Sequence, residues 1–149
     1  MRAASPRPPT TRCSDRPREP TIETVLDIHR TWGYVAIVLN GLAGAIALVA
    51  WRKPRWRRKL RGRWVWWPTI VAEAAMLLQV VLGVVLVTDD TYGQVVPRFH
   101  MFYGFVAFVT VGLAYQYRDS MKGRHEMFYG FVGLFLMGVG IRAVLQVAQ

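Results

Sequence analysis

The sequence predicts an all-α integral membrane protein, a four-helix bundle built from two helical hairpins with a pseudo-two-fold relation. Three observations carry that expectation. Hydrophobic residues fill 53% of the 149 positions, and they are gathered into runs rather than spread in amphipathic stripes. Four runs stand out, at about 31–51, 64–88, 99–117 and 127–148, each near the roughly twenty residues a helix needs to cross a bilayer. Strands are excluded, because a small open sheet leaves its backbone groups unpaired in lipid. Finally, one stretch is written twice. HRTWGYVAIVLNGLA from His29 returns as HMFYGFVAFVTVGLA from His100, matching Gly33 with Gly104, Ala36 with Ala107 and the Gly-Leu-Ala triplets at Gly41 and Gly112. Such self-similarity marks an internal repeat.

Taken in order, residues 1–20 are rich in proline, arginine and small polar side chains, a composition that cannot bury a core and predicts a disordered tail. No apolar core follows the first arginines, so the tail does not read as a secretory signal. The four-helix domain is then 21–149. The stretch TIETVLDIHR leads into the first helix, with Thr21 or Thr24 as N-cap and Glu23 and Asp27 suiting its positive end. Gly33, Gly41, Ala43, Gly44 and Ala45 stud that helix, and small residues in lipid favour close packing against a second helix. The hexapeptide MFYGFV occurs at Met101 and again at Met127; its copies fall on antiparallel helices at opposite depths and read as core packing. Asn40 and Gln79, placed near mid-membrane, read as interhelical hydrogen-bond formers.

Charge fixes the expected orientation. The formal net charge is +10, and eight of the nineteen basic residues (Arg52, Lys53, Arg55, Arg57, Arg58, Lys59, Arg61 and Arg63) sit in one loop with no acid among them. A short, dense, unopposed basic loop beside anionic headgroups is a cytoplasmic loop. It places both termini outside, in what reads as a plasma (inner) membrane, and Trp51, Trp56, Trp64, Trp66 and Trp67 form an aromatic belt at the inner face. The same distribution argues against nucleic acid, which calls for a basic patch on a soluble face. Cys13 is the only cysteine, so an intrachain disulfide and a cysteine-based zinc site are both excluded.

In this topology the first and third helices both run from outside to inside, which sets His29 and His100 at one depth near the outer face. In each copy of the repeat a glycine follows the histidine by four residues, so each helix offers an imidazole above nearly bare backbone. Two facing imidazoles beside close-approaching helices are what a six-coordinate haem requires. His29 and His100 are therefore the candidate axial ligands, Gly33 and Gly104 the candidate cradle, and the cofactor a b-type haem. Arg142, with Arg30 and Arg98, is a candidate for the haem propionates; the bland alternative for Arg142 is snorkelling to outer headgroups. Glu73 reads as the ion-pair partner of a loop arginine, with proton carriage as the other reading, and His125 is assigned no ligand role.

The order of these motifs resembles one four-helix half of the haem A synthase family: "HR" at His29 opening one helix, Gln79, Leu82 and Gly83 in LLQVVLGVVLV late in the next, an outer loop, and His100 opening the third. The resemblance covers roughly residues 25–115. It implies a membrane bundle in which His29 and His100 ligate a haem near the outer face, and, if the chain is an enzyme, an oxidoreductase. The family's glutamate three residues before the first histidine is Leu26 here, and a second four-helix half and an outer-loop cysteine pair do not occur. The departures point away from haem A synthesis and leave the expectation of a single b-type haem in place.

The functional expectation is a bis-histidine haem protein acting in electron transfer or haem handling at the outer side, with a quinone or redox protein as partner. The alternative from another class is a haem-free accessory or assembly subunit of a larger complex, docking through its glycine-rich faces as a homo- or hetero-oligomer.

Overall fold

The computed structural model describes residues 20–52, 63–90 and 92–148. Its four long helices are α1 (Pro20–Arg52), α2 (Arg63–Val87), α3 (Arg98–Tyr117) and α4 (His125–Val147), with a 3₁₀ turn over Arg118–Met121. All four are long and apolar enough to cross a membrane. Their outward faces carry large apolar side chains, among them Val38, Leu42, Val84, Phe105 and Phe131, each more than half exposed. In water such continuous patches are a liability, whereas against acyl chains they are the natural solvent-facing surface.

The helices alternate in direction. Along α1 and α2, His29 lies against Gly83, Gly33 against Gln79, and Asn40 against Ala72, so residue numbers rise on one helix as they fall on the other. Along α1 and α4 the pairs are Ile37 with Gly140, Gly41 with Met137, and Leu48 with Gly130, again antiparallel. His100 bonds to Ala143 and His125 to Arg118 at the two ends of the α3–α4 hairpin. The bundle is thus square, with α1 and α3 parallel across one diagonal and α2 and α4 across the other.

The tightest seam joins α1 to α4. A Cβ built on Gly133 would sit 2.8 Å from the Asn40 carbonyl oxygen and 2.9 Å from Gly44 Cα, and one on Gly44 would sit 2.9 Å from the Gly130 carbonyl oxygen. Only hydrogen in place of a side chain lets these backbones come so close, which in lipid maximises van der Waals contact. Asn40, 1% exposed, donates from Nδ2 to the carbonyls of Ala36 and Ala72, both at 2.9 Å, and so tethers α1 to α2 as its sequence position suggests. Met76, Ala107, Val111, Leu136 and Val139 form the main buried apolar cluster, contributed by α2, α3 and α4. The α3–α4 connection turns at Gly123, whose φ of +86° is left-handed backbone that favours glycine.

Several boundaries and contacts differ from expectation. Pro20 opens α1, a position where its missing N–H costs nothing, so Thr21 and Thr24 lie inside the helix rather than capping it. The two MFYGFV copies are not both core. Tyr129 and Gly130 in the second are buried, while Phe102 and Phe105 in the first are 55% and 63% exposed. Residues 1–19 of the expected tail, and 53–62 of the basic loop, lie outside the described residues.

Candidate functional site

At the end of the bundle where α1 and α3 begin, the diagonal closes. The His29 and His100 rings stand 6.1 Å apart between centres, with their planes at 69°. They come from helices that otherwise face each other across the core, and both are partly buried. Each histidine stands seven residues, about two turns, before a buried alanine, Ala36 or Ala107; His100 is in the first turn of α3, whereas His29 lies well inside α1.

Each imidazole is held by a different neighbour. His100 Nδ1 lies 2.9 Å from the carbonyl oxygen of Ala143 on α4. A carbonyl only accepts, so Nδ1 carries the proton and Nε2 keeps a lone pair. His29 Nε2 lies 3.2 Å from the amide nitrogen of Gln79 on α2, which donates to it. The second nitrogen of His29 and the Gln79 carbonyl oxygen are buried without a hydrogen-bond partner. Each such buried, unpaired polar atom in an apolar bundle is costly.

The two repeat glycines have different surroundings. Gly33 meets Gln79, whose amide nitrogen would be 3.0 Å from an added Cβ, and Gly83 meets His29 Cε1 at 3.2 Å. Space beside Gly104 is open, with nothing within 4 Å of an added Cβ. Gly33 and Gly104 therefore do not share one strip. Trp32, the aromatic of the first repeat, turns to α2 and donates its indole N–H to the Ala75 carbonyl at 3.0 Å, while Tyr103 of the second packs on the core. Arg30, Arg98 and Arg142 are all exposed on the outside of the bundle.

The partners that sequence reasoning did not place here are Gln79, Gly83 and Ala143. Gln79 and Gly83 are four residues apart, on one face of α2, and that spacing was the available signal. Gln79 also sits at the level of His29, because the long α1 carries His29 about two and a half turns inside its start. Glu73, expected to pair with a loop arginine, has a buried carboxylate oxygen with no hydrogen-bond partner.

The pair passes a simple test for sharing a metal. Two imidazole nitrogens each about 2 Å from one ion hold their ring centres roughly 6 Å apart, close to the observed separation. The Nδ1–H to carbonyl bond of His100 is the outer support that a ligating imidazole normally has. Among the described residues no group of three or more histidine, cysteine or carboxylate side chains is placed to hold a metal ion, so a cofactor bringing its own equatorial ligands suits the pair better than bare zinc. Gln79 already occupies His29 Nε2 and the space beside Gly33, so a ligand taking that nitrogen has to displace its amide. No family model, curated protein or solved structure matches this chain, so its functional reading rests on this geometry.

Proposed function

We propose that the protein is a membrane b-type haem protein, with His29 and His100 as the axial ligands and electron transfer or haem handling at the outer face as its task. The single observation that carries this reading is the meeting of two repeat-related imidazoles from diagonal helices at a centre-to-centre distance of 6.1 Å. Bound haem would supply a one-electron couple, and a doubly ligated iron has no open position, which favours electron transfer over oxygen chemistry. The chain's own residues would orient the ligands: Ala143 fixes the His100 tautomer, and Gly104 leaves room at the α3 side. The exposed Arg30, Arg98 and Arg142 suit propionates at the rim or outer headgroups. The basic loop at 52–63 supports an inner-membrane orientation with that loop cytoplasmic and both termini outside. A quinone or a small redox protein is the partner class.

A second reading, a haem-free accessory or assembly subunit, is favoured by Gly112 and Gly138, which lie exposed on the bundle surface with open space where a Cβ would be. Such bare patches suit helix docking. One measurement separates the two. The protein is produced with ample haem, purified in mild detergent, and its reduced-minus-oxidised spectrum recorded. A low-spin band that disappears in both His29→Ala and His100→Ala supports the haem reading; a colourless wild-type protein supports the docking subunit.

A further inference from the structure

At the opposite end of the bundle a cleft of about 580 Å³ opens between the start of α2, the 3₁₀ turn and the start of α4. Val65, Trp66 and Tyr129 form its apolar walls, and Arg118, Asp119, His125 and Glu126 its polar ones. Trp66 lies thirteen residues from Gln79 along α2, about 20 Å at the helical rise, so the cleft is separate from the histidine pair.

Its polar groups are arranged with opposite signs. The Arg118 guanidinium is clamped between two aromatic faces, 5.3 Å from the centre of the Trp66 ring and 5.2 Å from that of Tyr115. Stacking leaves the planar edge of a guanidinium, with its N–H groups, available in a fixed orientation. Its ion pair with Asp119 is loose, 3.8 Å through Nε to a carboxylate that is 79% exposed. His125 stacks on Tyr129 and its Nε2 donates to the Arg118 carbonyl at 3.0 Å, which ties the turn to α4. Glu126, next in sequence, lines the same cleft in the first turn of α4.

Depth decides what can enter. The cleft lies where α1 and α3 end and α2 and α4 begin, with Trp66 in its wall, which is headgroup level for a spanning bundle. A purely anionic headgroup meets two carboxylates for one guanidinium. A purely cationic one leaves the guanidinium with only its loose Asp119 contact. A phosphate with a primary amine close by satisfies both: the phosphate on the Arg118 fork, the ammonium on Glu126 and Asp119. We propose that this cleft is a binding site for a phospholipid whose headgroup carries a primary amine beside its phosphate. The site stands independently of whether the histidine pair holds haem.

The test is native mass spectrometry of the full chain released from mild detergent, with phosphatidylethanolamine, phosphatidylcholine and phosphatidylglycerol supplied at equal mole fraction. The amine and choline headgroups differ in their N–H donors, so retained phosphatidylethanolamine should exceed phosphatidylcholine by roughly fivefold. Glu126→Gln should bring that ratio near one while total bound lipid changes little. Arg118→Ala should lower retention of both. Equal retention of the three lipids, or phosphatidylglycerol in excess with no response to Glu126→Gln, would overturn the proposal and assign lipid retention to the basic loop alone. Glu126→Gln removes a charge without changing shape, so its result stands even where Arg118→Ala reduces the yield of folded protein.

Discussion

Gln79 holds His29 through the imidazole Nε2. The two side chains approach to 3.2 Å, and the same amide fills the space that a side chain on Gly33 would take. The amide is therefore a competitor for the imidazole lone pair and at the same time an interhelical tie between α1 and α2.

Removing it should separate the two roles. Gln79→Ala is expected to cost about 1 kcal/mol of bundle stability, the usual value of one interhelical hydrogen bond. It should also tighten haem binding several-fold in a spectrophotometric titration, because His29 Nε2 no longer has to be released. Weaker haem binding in this variant would show that the amide supports the bound state instead.

The glycine seam makes a sharper stability prediction. Gly133→Leu must displace the Asn40 carbonyl or Gly44, both backbone, and overpacking of this kind costs about 1–3 kcal/mol or more. Gly138→Ala, with open space around it, should be neutral or gain up to about 1 kcal/mol from helix propensity. Thermal unfolding of the two variants in the same detergent measures the contrast, and similar melting shifts would contradict the α1–α4 contact.

Asn40→Leu removes two donor contacts and adds bulk at a position 1% exposed. A loss of about 1–2 kcal/mol is expected. Reversible unfolding monitored by helical circular dichroism would register it, and an unchanged midpoint would place the amide outside the stabilising core.

Leu136 is fully buried among Met76, Ala107 and Val111. Leu136→Ala should cost about 2–5 kcal/mol through the cavity it leaves. Because this site lies away from the histidines, the variant that folds should keep its His29 and His100 geometry, readable as an unchanged haem spectrum where haem is bound.

Much of the architecture was legible in the order of residues. The four runs give the spans because lipid imposes length and apolarity on every segment that crosses it. The duplicated histidines come together because two hairpins of alternating direction bring His29 and His100 to one depth, and period and topology alone contain that. Asn40 and Gln79 were recognisable as interhelical bonds, since an amide in an apolar run has few other partners.

What stayed hidden was rotation about the helix axes. The same MFYGFV hexapeptide faces Leu48 at Gly130 and open space at Gly104, and every large moment that would orient it is missing where all faces are apolar. For the same reason Gly33 reads as half of a cradle, although it turns to Gln79. A run that is hydrophobic all round specifies depth without specifying azimuth.

The glycine seam has one more consequence, for the order of assembly. The close backbone approach of Gly44 to Gly133 links α1 to α4, with two complete spans between them in the chain. Neither hairpin can close that contact by itself. During synthesis α1 must wait, flanked by its hairpin neighbour, until α4 has entered the bilayer; only then can the ring of four close.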